Sequence, residues 1–130
     1  IGTENLPQDG PLVLTCNHVS FLDWMLILAA IRRPVRFVMD HGFARGALMK
    51  AIVRHARIIP IAPGRESVGQ LREALAQISL ALRAGEWVVV FPEGAITRDG
   101  KVAPFRPGIE RILKTDPVCV VPMVIVGMWG

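Results

Sequence analysis

Apolar and polar positions along this chain switch repeatedly between the period of a strand and that of a helix. Leu6-Pro-Gln-Asp-Gly-Pro11 is turn chemistry, and the apolar run at 12–16 after it reads as a short buried strand. Residues 21–31 are Phe-Leu-Asp-Trp-Met-Leu-Ile-Leu-Ala-Ala-Ile, with Asp23 the only charge. A run apolar on every side predicts a buried helix, starting near Ser20 and ended by Arg33-Pro34. Residues 35–39 alternate and predict a strand. A helix is expected over 43–56, where Leu48, Ile52 and His55 keep helical spacing, and a strand over 57–62. Pro60 marks that strand as an edge or a bulge.

The clearest helix covers 67–84. Val68, Leu71, Leu75, Ile78 and Leu82 step by three and four, Ser67 and Gln70 supply a cap, and Gly85 ends it. Residues 86–91 predict a buried strand that Phe91-Pro-Glu-Gly94 breaks sharply. A basic loop with Arg98, Lys101 and Arg106 follows. Pro107-Gly108 then leads into a short helix over 109–114, and a last strand over 118–126 contains Pro122. Strand and helix alternate with short connections. That predicts an α/β fold, a mostly parallel sheet flanked by helices on both faces. Residues 1–130 read as a single domain without repeats or low-complexity segments. Starting at Ile1 and ending just after an apolar run, the chain reads as a piece of a longer, membrane-associated protein.

Composition narrows the picture. Hydrophobic residues make up 52% and charged ones 20%, which is globular and rather greasy. No apolar run approaches the roughly 20 residues of a membrane span, so any span is expected outside this piece. Cys16 and Cys119 form neither a disulfide framework nor metal spacing, and each sits in an apolar run. Both are expected to be buried free thiols in a reducing compartment. The net charge is +4, and no acid lies between Asp40 and Glu66, where Arg45, Lys50, Arg54, Arg57 and Arg65 stand with His41 and His55. Lys50, Arg54 and Arg57 would share one side of a helix. Such a patch suits membrane lipid or a nucleotide-bearing cofactor, or is a solvated face. Nucleic acid is disfavoured, because the stretch has no recognised motif and no interleaved aromatics.

The candidate chemistry lies in Asn17, His18, Ser20 and Asp23. A buried carboxylate needs a partner, and the nearest one to Asp23 is His18. A carboxylate that orients an imidazole makes a general base. Ser20-x-x-Asp23 is equally an acidic capping box, which needs no catalysis. In parallel sheets active sites gather at the carboxyl ends of strands. His18 follows the first strand and Glu93 follows the strand at 86–91, so one edge can carry both. Cys16 shares strand parity with His18, but such positions stand ~6.5 Å apart, which disfavours a Cys–His nucleophile.

Asn17-His18-Val-Ser20-Phe-Leu-Asp23, followed by Phe91-Pro92-Glu93-Gly94, resembles the glycerophospholipid acyltransferase family. That family includes bacterial lysophosphatidic acid acyltransferases and the acyltransferase part of 2-acylglycerophosphoethanolamine acyltransferase. Val121-Pro-Met-Val-Ile125 resembles its last short motif, so the resemblance spans the chain from about Leu6 to Gly127. It implies a glycerol-3-phosphate acyltransferase-like fold, with His18 as base and Asp23 as its orienting partner. Glu93 and Gly94 are the implied residues that hold the acceptor, and Asn17, Ser20, Arg98 and Arg65 are further candidates for substrate binding. Acyl-CoA or an acyl carrier protein would donate the acyl group, with no metal and no further cofactor. The implied acceptor is a lysophospholipid or glycerol phosphate, met at a membrane surface on its cytoplasmic face. Two departures bear on the acceptor. Ala95-Ile96 stands where members using lysophosphatidic acid usually have Thr-Arg, and Ile61-Ala-Pro-Gly-Arg65 where they usually have Asp-Arg. The turn Ile-Pro-Ile-Ala-Pro at 59–63 looks closer to the ethanolamine-type branch.

The implied reaction is acyl transfer from a thioester to a hydroxyl. Backbone N–H groups at the start of the Ser20 helix are the expected oxyanion donors. An acyl thioesterase and a non-catalytic lipid-binding module at a membrane surface are the alternatives.

Overall fold

The computed structural model describes residues 2–40, 42, 51, 57–61 and 68–129. Among them, five strands run in chain order: β1 (Leu12–Cys16), β2 (Val35–Asp40), β3 (Ile59–Ile61), β4 (Trp87–Val90) and β5 (Cys119–Met123). They form one sheet in the order β3-β2-β4-β1-β5, and every pairing is parallel. Among the described residues, three α-helices with both bounds described accompany it: α1 (Asp23–Ala30), α2 (Val68–Arg83) and α3 (Gly108–Thr115). The α/β class and parallel sheet expected from the alternating pattern are what forms.

Alternation along each strand builds two cores. Successive side chains point to opposite faces. Leu12, Leu14 and Cys16 therefore pack on one face with Phe37, Trp87 and Val89, under Ile27 of α1 and Ile31. Val13, Val88 and Val90 pack on the other with Ile59, under Ala74, Ile78, Ala81 and Leu82 of α2 and Ile112 of α3. The central strands are covered on both faces, so they read as unbroken apolar runs. Both prolines in strands fall on edges. Pro60 lies in β3 and Pro122 in β5, each paired on one side only, where a missing N–H breaks no ladder.

Gly85 ends α2 as expected. Its φ is +80°, its N–H bonds the Leu82 carbonyl at 2.9 Å, and the Glu86 N–H bonds the Ala81 carbonyl at 3.0 Å. That pair of bonds is a Schellman end. Arg83 Nε and Asp116 Oδ1, 2.9 Å apart, join the ends of α2 and α3.

Several expectations are changed by the structure or fall outside the description. First, α1 starts at Asp23 rather than near Ser20, and only Asp23 and Ile27 of it are buried. Phe21 is 71% exposed, and Leu22, Met25 and Leu26 are exposed as well. The helix lies across one face of the sheet, and none of the described elements covers its outer side. Second, Cys119 is exposed, not buried. Alternation puts it with Val121 and Met123 at the start of an edge strand. Third, the cation Arg57, half exposed, is held in an ion pair. Its guanidinium bonds Glu86 Oε1 at 2.8 Å, beside the Arg36–Glu86 pair. These groups sit where β2 and β4 begin. Lys50 and Arg54, the rest of that basic side, lie outside the described residues. So do the Ser67 cap and, except Ala51, the helix expected over 43–56.

Candidate active site

Parallel pairing brings the ends of β1, β4 and β5 to one edge of the sheet, and the segments leaving them meet there. Asn17 leaves β1. Its amide group donates to the Ile125 carbonyl at 3.0 Å and accepts the Ile125 N–H at 2.7 Å. The side chain thus continues the β1–β5 pairing beyond Met123. With both polar ends engaged in this way, Asn17 braces the edge.

His18 is held on every side. Its Nδ1 lies 2.8 Å from Asp23 Oδ2. Its ring stacks on Phe91, the residue that leaves β4, with centroids 4.2 Å apart and planes 20° from parallel. Its backbone N–H donates to Glu93 Oε1 at 2.8 Å, and its carbonyl accepts the Thr97 N–H at 2.8 Å. The ring remains 22% exposed.

Asp23 has no exposure at all. Besides His18, its Oδ2 accepts the N–H groups of Val19 at 2.8 Å and Ser20 at 3.0 Å. Oδ1 has no hydrogen-bond partner among the described residues. Capping and pairing with the histidine therefore use the same oxygen. Half of a capping box is present: the acid reaches back to the Ser20 N–H. The Ser20 hydroxyl accepts from Leu22, two residues on, at 3.1 Å. Ser20 thus shapes the entry to the helix through its hydroxyl and its backbone N–H.

The consequence for the imidazole is chemical. An ionised carboxylate only accepts, so Nδ1 carries the proton and Nε2 is the basic nitrogen. The same geometry engages four of the backbone N–H groups around this helix start, where oxyanion donors were expected. The N–H groups of Val19 and Ser20 go to Asp23, that of Leu22 to Ser20, and that of His18 to Glu93.

Glu93 follows β4 and is only 4% exposed. Oε1 takes the His18 N–H, and Oε2 takes the Ala103 N–H at 2.6 Å. Its placement differs from the substrate contact expected of it, because both oxygens are turned inward to the backbone. Gly94 has φ +72°, and a Cβ there would stand 2.7 Å from Cδ and Nε of Arg106. Glycine is what lets the arginine lie across the loop. The Arg106 N–H also donates to the Pro92 carbonyl at 2.8 Å. The Thr97 hydroxyl bonds the Lys101 carbonyl at 2.8 Å, and Asp99 Oδ1 accepts the Lys101 N–H at 3.1 Å. These bonds shape a turn on which Arg98 and Lys101 are exposed. Arg65 lies outside the described residues.

Cys16 is buried beneath this group. Burial, and then the charge of Asp23, push its thiol up to about 12. A neutral, inaccessible thiol is no nucleophile. A cavity of about 710 Å³ lies at the other end of β4, lined in part by Leu6, Ile31, Arg32, Arg33 and Trp87. It is remote from His18, and Arg33 stacks over Trp87 at 4.6 Å.

His18, Asp23 and Glu93 thus meet at one edge, and Asn17, Ser20 and Gly94 frame them. Phe91, Thr97, Ala103 and Arg106 also belong to the group; the sequence places Phe91 in the Phe-Pro-Glu-Gly motif and Arg106 in the basic loop, and gives no role to Thr97 or Ala103. The register gives the one available signal. Thr15 pairs with Val90, so Cys16 stands level with Phe91 and the two outgoing segments must touch.

Comparison with known proteins gives the family. The profile of the family described as Acyltransferase matches residues 1–126. The chain is 30% identical over 129 residues to the chloroplastic 1-acyl-sn-glycerol-3-phosphate acyltransferase BAT2 of Brassica napus, covering 97% of this chain and 36% of that protein. It is 33% identical over 129 residues to a 1-acyl-sn-glycerol-3-phosphate acyltransferase of Chlamydomonas reinhardtii, covering 98% and 38%. The crystal structure of the 1-acyl-sn-glycerophosphate acyltransferase PlsC from Thermotoga maritima superposes with a TM-score of 0.74 at 29% identity, over 99% of this chain and 49% of that one. The chain therefore spans between about a third and a half of the length of these relatives. With the family profile matched along nearly its whole length, the chain belongs to the acyltransferase family.

Proposed function

We propose that this chain carries out acyl transfer from a thioester to the hydroxyl of a lysophospholipid or glycerol phosphate, with His18 as general base and Asp23 as its partner. The observation that carries the reading is the 2.8 Å contact between His18 Nδ1 and a carboxylate with no exposure to solvent. Nε2 takes the proton of the acceptor hydroxyl as its oxygen attacks the thioester carbonyl. The tetrahedral adduct collapses, the C–S bond breaks, and the leaving thiolate takes the proton back from the imidazolium. Asp23 fixes the tautomer and stabilises the imidazolium. Acyl-CoA or an acyl carrier protein is the donor.

Arg98, Lys101 and Arg106 supply the cations for phosphate on the acceptor or the donor. Arg106 is the best held of them, by its position across Gly94. The relatives' names specify 1-acyl-sn-glycerol 3-phosphate. That supports a phosphomonoester acceptor over the ethanolamine-type head group that the turn at 59–63 resembles. Exposed Phe21 and Leu22 stand close in sequence to His18, and this supports a membrane surface as the place of reaction. Since soluble thioester donors are cytoplasmic, we assign the cytoplasmic face. No helix among the described residues is long and apolar enough to cross a membrane.

The test is mass spectrometry of lipids after the full-length protein meets acyl-CoA and a panel of lysophospholipids. The reading predicts acylated product and thiol release that depends on the acceptor. Thiol release at the same rate without acceptor would instead identify a thioesterase.

A further inference from the structure

We propose that Glu93 is a positioning residue whose carboxylate keys the backbone of His18 to the basic loop bearing Arg98, Lys101 and Arg106. The inference rests on the reading of His18 as base. It concerns how that base is placed.

Glu93 is almost wholly buried and forms no ion pair among the described residues. A buried carboxylate without a cation is costly unless hydrogen bonds replace its water. Two backbone donors do so here, the His18 N–H at 2.8 Å and the Ala103 N–H at 2.6 Å. Bonds of this kind to an ionised acceptor are short and about twice as strong as neutral ones. One donor belongs to the segment leaving β1. The other belongs to the far limb of the loop that follows β4. The rigid carboxylate fixes their separation.

Two further contacts close the arrangement. The Thr97 N–H bonds the His18 carbonyl, so both peptide groups flanking the His18 Cα are tied to residues 93–97. Arg106, three residues beyond Ala103, lies across Gly94, next to Glu93. The Glu93 side chain, with the Thr97–His18 backbone bond beside it, thereby sets the distance between the imidazole and the loop's cations. A substrate hydroxyl cannot share it, because the carboxylate presents almost no surface.

Glu93→Gln tests this with little change in shape. The amide oxygen can accept one of the two N–H groups. The amide nitrogen then faces the other, donor against donor, so the separation must change. Small misplacement of a reacting group costs roughly 100-fold in rate. The full-length variant should therefore lose roughly 100-fold in kcat, with KM for lysophosphatidic acid and acyl-CoA unchanged. An acceptor ligand would show the reverse, a raised acceptor KM at a preserved kcat, and that result would overturn the proposal.

A second measurement needs no variant. Hydrogen exchange of the ligand-free wild-type protein, resolved to single amides by NMR, should find the His18 and Ala103 amides protected. Exchange of both at the rate of free peptide would overturn the proposal whatever the kinetics show. Failure of the base reading has a separate signature, full turnover by His18→Ala, and leaves the amide protection in place.

Discussion

Replacing Asp23 by Asn separates a catalytic carboxylate from a helix cap, because asparagine caps about as well as aspartate. In the structure Oδ2 receives three donors, from His18, Val19 and Ser20, at 2.8, 2.8 and 3.0 Å. An asparagine must turn its oxygen toward them, since its NH2 would oppose all three. Nδ1–H then keeps an acceptor, and the imidazole keeps its tautomer. The NH2 lands where Oδ1 now lies, buried and without a partner among the described residues. An unsatisfied buried donor costs ~1–3 kcal/mol of stability.

The rate suffers differently. A carboxylate and an imidazolium about 4 Å apart attract by about 4 kcal/mol at an effective dielectric constant of about 20. Asparagine removes that attraction from the transition state. At 1.36 kcal/mol per decade the expected loss is about 10³-fold. The assay is acceptor-dependent product formation at saturating acyl-CoA, with circular dichroism melts run alongside to confirm a folded variant. If Asp23 serves only to cap α1, the folded variant keeps its rate to within a few-fold. That result would refute the reasoning.

Three other outcomes follow from the same structure. A maleimide should label exposed Cys119 in the native protein and leave Cys16 untouched at neutral pH, its thiol held up at about 12 by burial, whereas both should react in denaturant; mass spectrometry reads the sites, and native labelling of Cys16 would contradict its placement. Arg36, then Arg57, holds the Glu86 carboxyl below its usual range, so this group adds stability above its unfolded pKa and loses it as pH falls through the folded value. Glu86→Gln should therefore lower Tm at neutral pH and match the wild type in acid, and an unchanged Tm at neutral pH would show the cluster to be inert. Gly94→Ala meets both a positive φ and a 2.7 Å approach to Arg106. It should destabilise by ~1–3 kcal/mol in a thermal melt and raise the acceptor KM, and wild-type values for both would deny Arg106 its role.

Parts of this site were legible in the sequence for physical reasons. Asp23 announced itself as the one charge in an apolar run, which forced the question of its partner. Pro60 declared an edge strand by its missing N–H. Other parts left no trace. The partners of Glu93 and Asn17 are backbone groups of His18, Ala103 and Ile125, and any residue type could supply them. The crossing of Arg106 over Gly94 depends on loop geometry that spacing does not encode. Phe21, Leu22, Met25 and Leu26 misled, because an apolar pattern reports a preference to leave water and not what lies over the helix.

The central claim is that His18 is the base, and His18→Ala in the full-length protein tests it most directly. Radiolabelled acyl transfer from acyl-CoA to lysophosphatidic acid is the readout, with circular dichroism to show that the fold survives. The Asp23 carboxylate keeps the Val19 and Ser20 N–H groups as partners without the imidazole, so the variant should fold. The account predicts a loss of ~10³-fold or more. A folded His18→Ala variant that transfers acyl groups at the wild-type rate would contradict it.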